Sequence, residues 1–275
     1  MPWTLRLLIL LPGITLLSAC AELGYYRQAM NGHLGLIWRA QPIERVLADP
    51  HQPAALQGRL RQIQAARLFA IDHLHLPVGG AYGRFSPVDG QAVVWNVTAA
   101  PRYGLTPHQW CYPVIGCQSY RGYYAQADAQ RMAAQLADDQ DVWVSGVTAY
   151  STLGWFDDPV LGTFVRLDEQ DMIALLFHEL AHRRVYIRDD TRFNESYATA
   201  VELEGLLRWL EHRAPPAQRE RALRRLGTRM AFAGFMEGAL EALRAAYRNS
   251  AALDEAARAA HKRRALDDLR RAYER

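Results

Sequence analysis

The run His178-Glu179-Leu180-Ala181-His182 lies inside an apolar helical pattern, and few places in a fold can accommodate it. Leu175, Leu176, Phe177, Leu180 and Ala181 surround the polar triplet. A helix so clothed is largely buried, where imidazole and carboxylate groups are costly unless they have partners. Positions i and i+4 share a helical face, so His178 and His182 can reach one metal ion. Glu179 projects beside them, placed to take a proton from a water that the metal activates. The alternative is a surface helix that happens to carry two histidines and a carboxylate, and the apolar neighbours weigh against it.

A catalytic zinc takes three protein ligands and keeps one position open. The third ligand must therefore come from elsewhere. Asp168 is a good helix cap, and Glu169 and Asp171 suit the positive end of a helix dipole. The pattern predicts a helix from Asp168 to about Ile187. Asp189-Asp190-Thr191 makes a turn and caps a second helix, Phe193 to about Arg213, which Pro215-Pro216 stops. Glu195 lies thirteen positions after His182. A helix, a tight turn and a returning helix bring it back over the first, so its carboxylate completes a set of two histidines and a glutamate. Asp189, Asp190 and Glu202 are rivals. The two aspartates suit the turn. Glu202 shares a face with Glu195 and suits a role in orienting a ligand histidine.

The rest of the chain reads as one α+β domain, predominantly helical, with a small sheet beside the helix of the motif. Its 275 residues are half apolar, enough for a single large domain over 20–275. A helical pattern runs from Pro53 to Leu76, with Leu56, Leu60, Ile63, Arg67, Ile71 and Leu74 near one face. Gln91 to Thr98 and Asp141 to Thr152 read as strands, and Tyr124 to Ala137 as a helix. A helical extension covers about 214–275 as two or three helices rich in Ala, Leu and Arg. Its arginines read as solvated faces, with anionic head groups as the other possible contact. A net charge of +3 gives no case for nucleic acid.

The first nineteen residues read as a signal peptide. Arg6 precedes a short apolar run, Leu7 to Leu17, too short to span a bilayer comfortably. Leu17-Ser18-Ala19-Cys20 resembles the lipobox of bacterial lipoproteins, which implies that Cys20 is acylated and becomes the anchored N-terminus. An ordinary cleaved signal is the alternative. Ala21, where an aspartate would signal retention, implies the outer membrane facing the periplasm. The two remaining cysteines, Cys111 and Cys117, flank Pro113 and Gly116 in a turn-forming stretch. An oxidising compartment lets them pair, for a gain of ~2 kcal/mol on a chain-entropy model. Two buried thiols are the alternative.

Three motifs in one order resemble the bacterial family of predicted zinc aminopeptidases. They are HELAHRRVYIRDDTRFNESYATAVELE (His178–Glu204), GVTAYSTLGWFDDPV (Gly146–Val160) and WCYPVIGCQSYRGYY (Trp110–Tyr124). The resemblance implies a zincin-like metallopeptidase with Zn2+ on His178 and His182, Glu179 as general base, and a peptide as substrate. In zincins an edge strand near the metal holds the substrate by strand addition, and Ala149–Thr152 is the segment expected to do so. Tyr150 on it is a candidate hydrogen-bond donor to the oxyanion, or else a packing residue. Tyr120, Arg121 and Tyr123 are candidates for a substrate cleft, with Arg121 pairing a peptide carboxylate, or for structure. Two other readings stay open. One is an envelope scaffold with a vestigial zinc site. The other is a zinc hydrolase of peptidoglycan peptides.

Overall fold

The computed structural model describes residues 22–112, 116–148, 152 and 157–275. Cys20, the signal segment and Tyr150 lie outside the described residues, as does most of the segment expected to hold substrate. In chain order the first elements are α1 (22–39), β1 (Gln41–Pro42), α2 (Ile43–Ala48) and α3 (Ala54–Asp72). There follow β2 (Arg84–Ser86), β3 (Val94–Pro101), β4 (Trp110–Tyr112), β5 (Gly116–Gln118), β6 (Arg121–Tyr123), α4 (Gln126–Leu136), β7 (Gln140–Val147) and β8 (Val160–Leu161). A 3-10 turn (Phe164–Arg166) then leads into α5 (Glu169–His182), α6 (Thr191–Arg213), α7 (Pro216–Asn249) and α8 (Glu255–Tyr273).

The core forms where the apolar spacing says it should, with one shift. In α3 the buried positions are Leu60, Ile63, Ala66, Phe69 and Ala70, a helical stripe. Ile71, expected on that stripe, is exposed. The helix stops at Asp72, short of the expected Leu76, where the His73 amide closes the last turn on the Phe69 carbonyl. Helix α5 packs between α3 and α6. Phe69 lies 6.0 Å from Phe177 and 5.3 Å from Trp209, ring centre to ring centre.

Helix α6 returns along α5 at close range because Gly205 has no side chain. A Cβ there would stand 2.8 Å from Phe177 Cδ2 and 2.9 Å from Leu74 Cδ1. Gly205→Val therefore pushes α6 away from α5. We expect it to cost about 1–3 kcal/mol, the usual range for overpacking. A thermal melt of the metal-free protein checks this, and an unchanged Tm contradicts so close a packing.

The sheets are small. One has the order β1-β2-β8, and β8 runs parallel to β2 before feeding α5. A second has the order β6-β3-β7, with β3 and β7 antiparallel from Val94↔Val147 to Pro101↔Gln140. Both long strands sit a few residues from their expected limits. The third is the β4-β5 pair, in which Cys111 faces Cys117 and the two are joined as a disulfide.

The N-terminal described segment is a docked helix. On α1, Glu22 pairs with Arg121 at 2.9 and 3.2 Å, and Gln28 exchanges hydrogen bonds with Gly122 and Tyr124 of the β6 region. Arg121 also lies over the Tyr25 ring at 3.8 Å. Arg121 is buried in this contact and Tyr123 packs with Val97 and Ala129. Both take structural places.

The C-terminal extension is two helices. Helix α7 has 34 residues, a length of about 51 Å. Helix α8 ties the far end back to the second sheet. Lys262 contacts Asp141 and the Arg102 carbonyl, and Glu255 meets Tyr103 and Arg102.

Candidate metal centre

Helix α5 starts where the sequence places its cap. The Asp168 carboxylate accepts the Glu169 amide at 2.7 Å. The helix ends at His182, five residues before the expected Ile187, because the chain beyond is held in another conformation. Asn194, only 2 % exposed, donates its side-chain amide to the Ile187 carbonyl at 2.7 Å and accepts the Ile187 amide at 2.8 Å. That two-point grip turns the chain back one residue before Glu195. Asp190 caps α6 by accepting the Phe193 amide at 3.0 Å.

His178, His182 and Glu195 come together at the junction. One ligand atom from each lies within 4.8 Å of the others. The His178 Nε2 to Glu195 Oε2 distance is 3.3 Å, and His182 Nε2 stands 3.8 Å from Glu195 Oε1. Ligands about 2.0–2.2 Å from a tetrahedral zinc stand about 3.3–3.6 Å apart; the first of these distances matches, the second is slightly longer, and the donor types suit such an ion. Asp189 and Asp190, rivals for the third ligand, are not in the cluster. Asp190 serves as the cap. Asp189, at φ 62°, accepts the Cys117 amide at 3.3 Å.

Glu202 holds the outer nitrogen of His178, with Oε2 3.1 Å from Nδ1. Its other oxygen, Oε1, accepts from both terminal nitrogens of Arg229 on α7, each at 3.1 Å. His182 lacks a comparable restraint. Its Nδ1 is buried and has no hydrogen-bond partner among the described residues.

The cluster is rich in carboxylates. Glu179 is 8 % exposed. Burial pushes its carboxyl up to about 7, with His178 pulling it down and Glu195, Asp158 and Glu202 pushing it further up. Burial disfavours the charged form of His178. Hydrogen bonds to Glu195 and Glu202 nonetheless outweigh it, and raise that imidazole to about 10. The hydrogen bond from His178 holds Glu195 below the usual carboxylate range. Carboxylates that favour the charged form of an imidazole also favour a divalent cation at the same place.

The two other motifs reach this site. From the 146–160 stretch, Asp158 is buried and accepts the Thr152 amide and hydroxyl at 2.8 and 3.0 Å. Desolvation raises its carboxyl, and its charge is felt at Glu179. Asp157 lies 3.5 Å from Arg183, the residue after His182. From the 110–124 stretch, the disulfide hairpin β4-β5 abuts the α5-α6 turn. Gly116, at φ +76°, sits in the left-handed region that favours glycine, with Asp189 Oδ1 2.0 Å from where a Cβ would stand. Tyr120 follows the hairpin. Crowding and then the charge of Glu195, with Tyr186 and Glu179, hold its phenol above the usual range. Because 41 % of Tyr120 is exposed, the carboxylates are the firmer of these causes.

Sequence reasoning did not single out Asn194 or Arg229. An asparagine in the first turn of a helix is a signal for a backward hydrogen bond to the preceding loop. Arg229 gave no such signal among so many arginines.

A family model described as "Putative aminopeptidase" matches residues 24–275. Neither the search of curated proteins nor that of solved structures found a match.

Proposed function

Since the chain belongs to this aminopeptidase family, we propose that it is a zinc-dependent aminopeptidase with His178, His182 and Glu195 as the metal ligands. The observation that carries the reading is the meeting of those three side chains beside the buried carboxylate of Glu179. The ion, when bound, polarises the scissile carbonyl and acidifies the attacking water. Glu179 takes the proton of that water as its oxygen bonds to the carbonyl carbon. It then delivers the proton to the amine nitrogen as the carbon–nitrogen bond breaks. Glu202 fixes the ring of His178 through Nδ1.

Tyr120 is a hydroxyl we assign, beside Tyr150, to the developing oxyanion. Its phenol stays protonated and lies within the field of Glu195 and Glu179. Tyr120→Phe is expected to lower kcat by about 10²-fold, the low end for loss of one such donor, with KM changed little. A kcat equal to wild type removes Tyr120 from this role.

The same reading places the protein on a membrane through Cys20, at the outer membrane facing the periplasm. The lipobox-like Leu17–Cys20 run and the Cys111–Cys117 disulfide support it. No helix among the described residues is long and apolar enough to cross a membrane. Because α1 is docked from residue 22, an anchor at Cys20 would hold the catalytic body close to the lipid.

The test is hydrolysis by the full chain, purified in detergent and zinc-loaded, of matched peptides with free and acetylated N-termini. Release of the first residue from the free peptide alone supports the assignment. Internal cleavage of both peptides would make the enzyme an endopeptidase. Zinc bound without cleavage of any peptide would favour the scaffold.

A further inference from the structure

Arg229 is the one side chain from α7 that reaches the metal centre among the described contacts. Both of its terminal nitrogens converge on Glu202 Oε1 at 3.1 Å, while Oε2 of the same carboxylate meets His178 Nδ1 at 3.1 Å. Glu202 is buried and the arginine is half exposed. One oxygen is thus gripped from two directions, which fixes the rotation of the carboxylate and aims the other oxygen at the imidazole. The guanidinium places two charge-assisted hydrogen bonds on that one oxygen while the imidazole takes the other, so both ends of the carboxylate are held.

The two histidines are not held alike. His182 Nδ1 has no hydrogen-bond partner among the described residues. Among the hydrogen bonds to outer imidazole nitrogens, the one through Glu202 therefore carries the orientation of the ligand pair. One turn earlier on α7, Arg225 holds the Asp168 cap of α5 at 2.6 Å. Two arginines of one helix thereby grip the start of α5 and the support of its ligand histidine. The far end of the extension is tied to the β6-β3-β7 sheet through Lys262 and Glu255.

We propose that Arg229 is a positioning residue for the metal centre. It locks Glu202 in the orientation that sets His178 for the ion, so the seating of the C-terminal helices tunes metal affinity. This rests on the zinc-site reading above.

The experiment measures zinc affinity by competition with a fluorescent chelator at fixed pH and salt. It uses the full chain, Arg229→Gln, Glu202→Gln and the double variant. Arg229→Ala is a second variant in case the glutamine amide still holds the carboxylate. Circular dichroism of each metal-free protein reports folding separately. Loss of an outer partner of a ligand histidine weakens metal binding by about 10–100-fold. We expect about tenfold weaker binding for Arg229→Gln or Arg229→Ala, and no further loss when Arg229→Gln is added to Glu202→Gln. Wild-type affinity in both arginine variants overturns the proposal. So does an equal loss with and without Glu202→Gln, since the arginine would then act independently of that carboxylate. A wild-type chain that binds no zinc overturns the metal-site reading itself and this proposal with it. The two failures are therefore told apart by the wild-type measurement.

Discussion

Glu179→Gln is expected to cut turnover by about 10²–10⁴-fold, the span commonly lost with a general base, while the protein keeps its metal. The two consequences separate because the side chain is in the site without being one of the three clustered ligand donors. Glutamine preserves the volume of a residue that is 8 % exposed and packed on an apolar helix, so the fold has no void to absorb. It removes a carboxylate that burial and three neighbouring acids have raised to about 7. An amide cannot accept and then return a proton, so both halves of the reaction lose their carrier. It also removes one negative charge, so zinc affinity should fall slightly and not be abolished. Metal content by mass spectrometry and hydrolysis of a free-amine peptide are measured on the same preparation. Wild-type cleavage by the glutamine variant would remove Glu179 from the mechanism. Loss of zinc together with activity would make it a ligand.

The candidate triplet His178, His182 and Glu195 was legible because it is local or nearly so. Two histidines at i and i+4 need only a helix, and apolar neighbours guaranteed that the helix would be buried. Glu195 needed one further inference, that Asp189-Asp190-Thr191 turns the chain. That turn exists, though the chain leaves the helix at once after His182 and not at Ile187. The difference comes from Asn194, whose two hydrogen bonds to Ile187 hold a non-helical loop where helical propensity alone would have continued. Periodicity reports which face of a helix is buried. It does not report where a buried polar side chain will stop that helix. Glu202 was legible for the same reason as Glu195, since seven residues make about two turns.

Arg229 and Tyr120 mark the limit of that reasoning. The arginine lies beyond Pro215-Pro216 on a third helix, and its partner is set by how α7 crosses α6. The pattern of α7 gives no direction for that crossing, because most of the helix is exposed and one solvated arginine looks like another. Tyr120 reaches the site only because a disulfide hairpin rests on Asp189 through Gly116 and the Cys117 amide. Arg121 was read with it as a residue of a cleft or of structure. Arg121 turned inward to Glu22 and Tyr25.

His178→Ala is expected to purify without zinc, where the wild type carries about one ion per chain, and Glu195→Ala is expected to lose most of it. A three-ligand site cannot hold an ion tightly on two. The alanine at 178 also strands the buried Glu202, which then keeps only Arg229 as partner. Added zinc at about a thousand times its dissociation constant stabilises a native protein by about 4 kcal/mol, so the wild-type Tm should climb with zinc while that of His178→Ala stays flat. The aspartates of the turn provide the control. Asp190→Ala removes a helix cap and should cost about 1 kcal/mol, lowering Tm with and without zinc but leaving the zinc-induced rise intact. If Glu195→Ala kept the full rise and Asp190→Ala lost it, the third ligand would be the turn aspartate, and the 3.3 Å contact between His178 and Glu195 would be an ion pair with no metal between its partners.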